Sequence, residues 1–293
     1  MTAAERQSLV AIPLVVLIAA AITWAGAQGG ANAAGLPVFA WCAVVAFGLN
    51  WLVFVPSFMA QSERFYDLTG SLTYLTLVGM ALTLSGQRDT RSVLLALLVV
   101  VWALRLGSFL FLRILRAGAD RRFDALKPSL PRFLLAWTLQ GLWVLLTLSC
   151  ALAAMTSTAP QPFDLLAVIG TVVWVVGFAI EALADRQKRL FRADPVNRDR
   201  FICTGLWAWS RHPNYFGEIV LWTGIALIAL PALSGWQHAT LISPLFVYVL
   251  LTRVSGIPLL EDRAREKWGD DPAYRRYVAH TPVLVPRPPR SAQ

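Results

Sequence analysis

Long, unbroken apolar runs decide what this chain can become. They lie near residues 8–26, 37–58, 68–85, 92–113, 133–155, 163–184, 215–232 and 238–256. Each is about the 20 residues that a helix needs to cross a hydrocarbon core ~30 Å thick. In such a core every backbone amide must find its partner within the protein, so only helices or a closed barrel can span it. A barrel would read as short alternating segments, which these runs are not. The expected fold class is therefore all-α, a polytopic transmembrane helical bundle of about eight spans. Composition agrees: 57% of residues are hydrophobic and 15% charged, against about 25% charged in soluble domains. Soluble folds, secreted disulfide scaffolds and disordered tails are excluded.

Charge placement gives an expected orientation. The chain carries 26 basic and 17 acidic residues, a formal charge of +9. The loops near 27–36, 156–162 and 233–237 hold no Lys or Arg, whereas those near 114–132 and 185–214, and the tail after 256, are rich in them. With eight spans the basic loops share one side with both termini, which the positive-inside rule makes cytoplasmic. The basic excess is thus a membrane-topology feature, and no nucleic-acid partner is expected. Arg88 and Arg91, in the loop near 86–91, are the exception to this alternation. Cys42, Cys150 and Cys203 are scattered, and neither His238 nor His280 has a ligand partner at metal spacing, so no disulfide framework and no metal site are expected. The chain reads as a single integral membrane domain over 1–293, with N-terminal spans in 1–60, substrate-side spans in 61–169 and a cofactor-binding half in 170–286.

Polar residues inside these runs mark the chemistry, because a charge in the bilayer is costly and usually functional. Glu181, Asp185, Lys188 and Arg192 recur at i, i+4, i+7 and i+11 on one helix face, at the end of the sixth run. They could form a salt-bridged helix end or one wall of a polar pocket. Arg105 sits within the fourth run and shares a face with Phe109, Arg113 and Arg116. An anion must meet it, since an arginine there costs at least ~2.5 kcal/mol. The segment SRHPNYFGE, residues 210–218, is the most specific signal. Pro213 suits the first turn of a helix. Asn214, Glu218 and Trp222 then share a face, and Arg211 and His212 precede it, where a basic group can meet phosphate or carboxylate. Gly217 allows close approach of a helix or ligand. No GxGxxG is present, so a nucleotide would bind among helices and loops rather than on a Rossmann domain.

From Glu181 through Asp185, Arg200, Gly205, Leu206, Arg211, His212, Pro213, Asn214 and Gly217 to Glu218, and then Trp222, the chain resembles the steroid 5α-reductase superfamily. More narrowly it resembles a bacterial branch of steroid-reductase-like membrane proteins. The tail fits loosely, from Glu261 through Trp268, Tyr274 and Tyr277 to Pro286. The resemblance covers about residues 170–286. It implies an NADPH-dependent reductase whose cofactor lies among the later spans, with Asp185, Arg192, Arg200, Asn214 and Glu218 as cofactor residues. Glu181 stands where characterised steroid reductases place an asparagine. Arg105, Glu181, Arg211, His212, Tyr215 and Trp222 complete the cofactor candidates. The family also uses a glutamate beside a glutamine on the substrate side, and Gln61 and Glu63 match this loosely. Glu63, kept protonated by burial, with Tyr66 is the expected catalytic pair that polarises the carbonyl of a lipophilic enone entering from the bilayer.

Two other readings stay open. Isoprenylcysteine methyltransferases share an RHP-x-Y-x-G core and bind S-adenosylmethionine. A non-enzymatic lipid-binding or transport protein would also line a pathway with polar stripes. Membrane lipids are partners on every reading, and an inner bacterial membrane is the expected location.

Overall fold

A computed structural model describes residues 1–86, 88–159 and 161–289, apart from the side chains of residues 117 and 121. The chain is helical nearly throughout. In order come α1 (Ala3–Gly26), α2 (Val38–Met59), α3 (Tyr66–Leu84), α4 (Thr90–Ala117), α5 (Leu130–Thr156), α6 (Leu165–Ala193), α7 (Pro213–Ala229), α8 (Ile242–Val249), α9 (Ile257–Trp268) and α10 (Pro272–His280). The sheet content among the described residues is one hairpin, β1 (Asn32–Ala33) with β2 (Leu36–Pro37). Ala34 and Gly35 turn it with φ of 48° and 81°, the positive values that a two-residue hairpin turn requires.

Seven stretches among the described residues are long and apolar enough to cross a bilayer: Ala3–Gly26, Val38–Met59, Thr90–Arg116, Leu130–Thr156, Leu165–Ala193, Pro213–Ala232 and Gly235–Trp268. The chain is therefore an integral, multi-pass, all-α membrane protein. The run expected as the third span does form a helix, the 19-residue α3. It falls outside the seven because Asp67, Thr69, Ser71, Thr73 and Thr76 dilute its apolar character. The last stretch is not one straight helix. A π-turn at Leu250–Val254 separates α8 from α9, a local widening of the helix that is frequent at functional sites.

The chain divides into two compact units. The first comprises Met1–Ala167 with Ala226–Ser243. Its centre is α5: 72% of that span is buried, against 22% for α1. A helix apolar on all sides belongs in the middle of a bundle. Trp137, Phe133, Leu145, Leu148 and Leu152 on α5 are fully buried. The unit also accounts for the exception in the charge pattern. Arg91 is 2% exposed. Its guanidinium donates to the carbonyl of Ile228 and, at 2.7 Å, to that of Pro162, and pairs with Asp164 at 3.2 Å. It braces the α5–α6 loop through the Pro162 carbonyl and the end of α7 through that of Ile228, in the last turn, where helix carbonyls lack partners. Arg91 is thus a structural brace buried in protein, which takes it out of the loop-charge count.

The second unit comprises Val168–Ile225 and Pro244–Gln293. Glycine sets its geometry. A Cβ added to Gly217 would lie 2.6 Å from the Glu181 amide and from the Gly177 carbonyl, and one on Gly224 would lie 2.6 Å from the Gly170 carbonyl. The backbones of α6 and α7 therefore touch along their length. Small residues allow this contact, which dispersion and interhelical packing reward in a membrane.

Candidate functional site

In the second unit the polar stripe of α6 ends beside the signature motif. Glu181 is 2% exposed and Asp185 8%. Glu181 lies one turn beyond Gly177, at the place where α6 meets Gly217 of α7. Past it, the helix end is clamped by the loop that follows. The Gln187 side chain accepts the Leu206 amide at 3.0 Å, the Trp207 indole donates to the Ala184 carbonyl at 3.1 Å, and the Lys188 ammonium lies 4.5 Å from the Trp207 ring centre. The Tyr277 hydroxyl donates to the Trp207 carbonyl at 2.7 Å. Burial pushes that phenol up from its ordinary value, so it stays a donor. Gly205 adopts φ +60° directly under Gln187, a conformation that glycine reaches without strain.

The motif itself is held from the C-terminal side. The Arg211 amide donates to the Pro282 carbonyl at 2.9 Å, and the Ser210 hydroxyl donates to the Leu284 carbonyl at 2.8 Å. The Arg211 guanidinium pairs with one oxygen of Glu261 on α9, and His212 Nε2 meets the other at 2.7 Å. The His212 ring stacks on Tyr215 with centroids 5.6 Å apart and planes 11° apart. Burial lowers the His212 pKa, and the hydrogen bond to Glu261 offsets this only in part. The neutral ring then donates from Nε2 and leaves Nδ1 as an acceptor. Among the described residues neither His212 Nδ1 nor Arg211 Nε has a hydrogen-bond partner, and both are buried. One is an acceptor and the other a donor. An orphaned buried polar atom costs about 1–3 kcal/mol, which points to a polar guest at the motif.

The remaining cofactor candidates of this unit take varied positions. Asn214, Tyr215 and Glu218 are half-buried on the first turns of α7, and Trp222 is fully buried one turn further on. Arg192 and Arg200 are exposed at and beyond the end of α6. Trp209 is exposed, whereas its neighbour Trp207 is buried.

The other candidates belong to the first unit. Glu63 is buried, in the turn before α3. Its carboxylate accepts the Asp120 amide at 2.6 Å and pairs with Lys127 at 2.8 Å. Burial would raise its pKa, but the Lys127 hydrogen bond and the Asp120 amide outweigh burial and hold it below the ordinary value. The expectation that burial keeps Glu63 protonated is thus overturned: the α4–α5 loop brings a cation and an amide to it. Tyr66 opens α3, and its hydroxyl donates to the Ala136 carbonyl at 3.0 Å. The polar ends of Glu63 and Tyr66 are therefore engaged by different partners. Arg105 is half-buried on α4, two turns before Arg113. Arg113 pairs with Asp67 at 3.3 Å.

Sequence reasoning assigned no role to Glu261, Gln187 or Lys127. Their positions, far along the chain from the residues they hold, carried no local signal. Glu261 is the exception only in that it stands among the tail residues that carry the resemblance.

Comparisons with known proteins bear on the same half of the chain and beyond it. A family described as "Protein of unknown function (DUF1295)" matches residues 53–281. A probable O-methyltransferase, ustE of Ustilaginoidea virens, is 26% identical over 145 residues, covering 43% of this chain and 48% of the relative. The 3-oxo-5-alpha-steroid 4-dehydrogenase 1 of Bos taurus is 30% identical over 117 residues, covering 40% of this chain and 41% of the relative. The chain thus spans less than half the length of either relative. No solved structure matches.

Proposed function

Since the chain belongs to the steroid 5α-reductase-like family DUF1295, we propose that it is a membrane reductase that uses NADPH to reduce the activated C=C bond of a lipophilic enone. The observation that carries this reading is the orphaned pair at the signature motif, Arg211 Nε and His212 Nδ1. A donor beside an acceptor suits a cofactor that bears both phosphate and amide groups. NADPH, when bound, supplies the hydride. Asp185, Asn214 and Glu218 would hold its polar ends, with Glu181, Tyr215 and Trp222 around them. The exposed Arg192 and Arg200 would meet phosphate, and Arg105 is proposed as a further anion-binding cation.

Glu261 has a distinct task on this reading. It fixes both basic heads, so that His212 presents Nδ1 and not Nε2. The tight α6–α7 contact excludes water beside Glu181, which strengthens every electrostatic interaction there. On the substrate side Glu63 and Tyr66 are the proposed pair. Glu63 must leave Lys127 and take up a proton before it can donate to a carbonyl oxygen, and the Tyr66 hydroxyl must leave the Ala136 carbonyl. We assign the protein to a bacterial inner membrane with both termini cytoplasmic, and to lipid metabolism.

Thermal unfolding of the purified protein with NADPH, NADH or S-adenosylmethionine tests the reading. Stabilisation by NADPH above the other two is expected. Asn214→Ala should weaken NADPH binding about tenfold, about 1.4 kcal/mol. Selective stabilisation by S-adenosylmethionine would replace the reductase with a methyltransferase, a second reading that the likeness to the Ustilaginoidea virens protein favours. No response to any of the three would overturn both enzymatic readings and favour a lipid-binding or transport protein.

A further inference from the structure

A groove of about 690 Å³ runs between α1 and α2 on the lipid-facing side of the first unit. Its lining lies within residues 16–51, ahead of the residues 53–281 that the family matches. Neither the signature motif nor the family resemblance accounts for it.

The sequence builds this groove. On α1 the lining residues recur from Val16 to Ala27 at i, i+3, i+4, i+7, i+8 and i+11, and on α2 from Ala40 to Trp51 at the same spacing. That spacing puts each set on one helix face. Half of these residues are Ala or Gly, too short to fill the space between the helices. A Cβ added to Gly48 would meet nothing within 4 Å. The two helices touch at the loop end, where Phe39 covers Gly26, and each packs chiefly on α5.

Depth and polarity say what fits there. From Val16 to Gln28 the groove follows α1 for ~18 Å, slightly more than half of a ~30 Å hydrocarbon core. Its mouth lies at headgroup level. Trp24 and Trp236 are both exposed there, with ring centres 5.5 Å apart, and tryptophans gather at that depth. The far end is closed by Phe47 and Trp51, whose ring centres are 5.6 Å apart, and the Trp51 indole is fixed by donating to the Thr138 hydroxyl of α5 at 3.1 Å. The groove therefore spans one leaflet. The polar groups along it are spent within α1: the Thr23 hydroxyl donates to the Ala19 carbonyl at 2.6 Å and the Gln28 amide to the Trp24 carbonyl at 3.0 Å. A guest need bring no hydrogen bond. Averaged over its length the groove is roughly 40 Å² in section, about half that of a helix 10 Å wide. It suits a hydrocarbon chain and is too narrow for a further helix.

Charge at the mouth selects the headgroup. Residues 27–37 and 233–237 include no Asp, Glu, Lys or Arg. The C-terminus of α1 and the N-terminus of α2 meet there, a partially negative end beside a partially positive one. No basic residue stands in the last turn of α1, and no acidic one in the first turn of α2. A zwitterion matches this pair of ends, and a net charge of either sign does not.

We propose that the α1–α2 groove is a lipid site that holds one acyl chain of a zwitterionic phospholipid, with the headgroup between the two helix ends. Native mass spectrometry of the full chain, released from nanodiscs of equal phosphatidylethanolamine and phosphatidylglycerol, tests it. One retained phospholipid per chain is expected, with phosphatidylethanolamine favoured about fivefold, the size of effect that two helix ends supply. Lysophosphatidylethanolamine, which has a single chain, should displace it. Ala20→Leu combined with Gly48→Leu should abolish retention. Ala20 is exposed and Gly48 faces open space, so the unfolding midpoint in the same detergent should hold. Leu104→Phe, which adds bulk on the exposed face of α4, should keep the lipid. The proposal is overturned by no retained lipid, by equal or greater retention of phosphatidylglycerol, by failure of the lysolipid to compete, or by retention in the filled variant. A dimer of the chain that the filled variant disperses would overturn it too, by making the occupant a second copy. All these readouts are independent of NADPH, so the reductase reading stands or falls apart from them.

Discussion

Two glutamates, one in each unit, hold two partners apiece, and the groups around them differ. Glu63 spends its oxygens on the Asp120 amide and Lys127. Lys127 also pairs with Asp124 at 3.1 Å, so this cluster is closed on itself. Glu261 spends its oxygens on Arg211 and His212, yet both of those residues keep a buried polar atom with no partner among the described residues. The first arrangement is a fastening for a loop. The second leaves two buried polar atoms without a partner among the described residues. Counting ion pairs would score the two alike; counting the polar atoms left over tells a latch from a site.

Glu261→Ala would break the second arrangement with the largest effect. It strands a guanidinium and an imidazole in a largely buried place, and loss of one partner of such a group costs about 3 kcal/mol or more. The unfolding midpoint should drop, and Glu261→Gln should recover part of it. If Glu261→Ala unfolds like the wild type, the cluster is as loose as a surface pair and the contrast fails. Lys127→Ala should be milder. A charge-assisted hydrogen bond contributes about 2 kcal/mol, and its loss should appear as faster amide exchange across the strap of residues 118–129 between α4 and α5 before any change in global stability. Equal acceleration throughout the chain would mean that the strap is not a separate element.

Acidity should sharpen the comparison further. Glu63 has a folded pKa below its ordinary 4.5, so it adds stability above that pH and loses it as pH falls through the folded value. Lys127 has a folded pKa above its ordinary 10.5. Its share is complete below that pH and lost as pH rises through the folded value. Strap protection, which is exchange relative to the intrinsic rate at each pH, should therefore be flat between these limits and fall outside them. His212 behaves oppositely to a latch. The unfolded chain takes up a proton near 6.5 while the buried ring resists it. Stability of the second unit should thus fall slightly below pH 6.5, and His212→Gln should remove that slope. The smallest effect belongs to Lys127→Arg, which keeps the charge and should change strap exchange within error.

How far the sequence could be read depended on how local each signal was. The span positions were legible because about 20 apolar residues have few alternatives in a bilayer. The α3 helix was legible too, but Asp67 and the hydroxyls near it carry it below the apolarity of the other spans. The motif at 210–218 announced a site, and Gly217 announced a close approach. It did not say that the approaching body is the α6 backbone. Arg91 was misleading, since a loop arginine and a buried brace look the same in one dimension. Glu63 was misread for a related reason. Burial alone favours the protonated acid, and nothing near Glu63 in sequence forecasts a lysine 64 positions later.

What the sequence determined by itself is the solvent it folds in, the helical class that solvent enforces, and the stretch of chain where polar groups are too costly to lack a purpose. Those follow from composition and spacing, which are properties of short segments. The tertiary structure alone decided which charges neutralise one another, which glycines touch backbone, and which polar atoms are left without partners. These depend on residues far apart in the chain meeting at distances of about 3 Å, where hydrogen bonds form or fail.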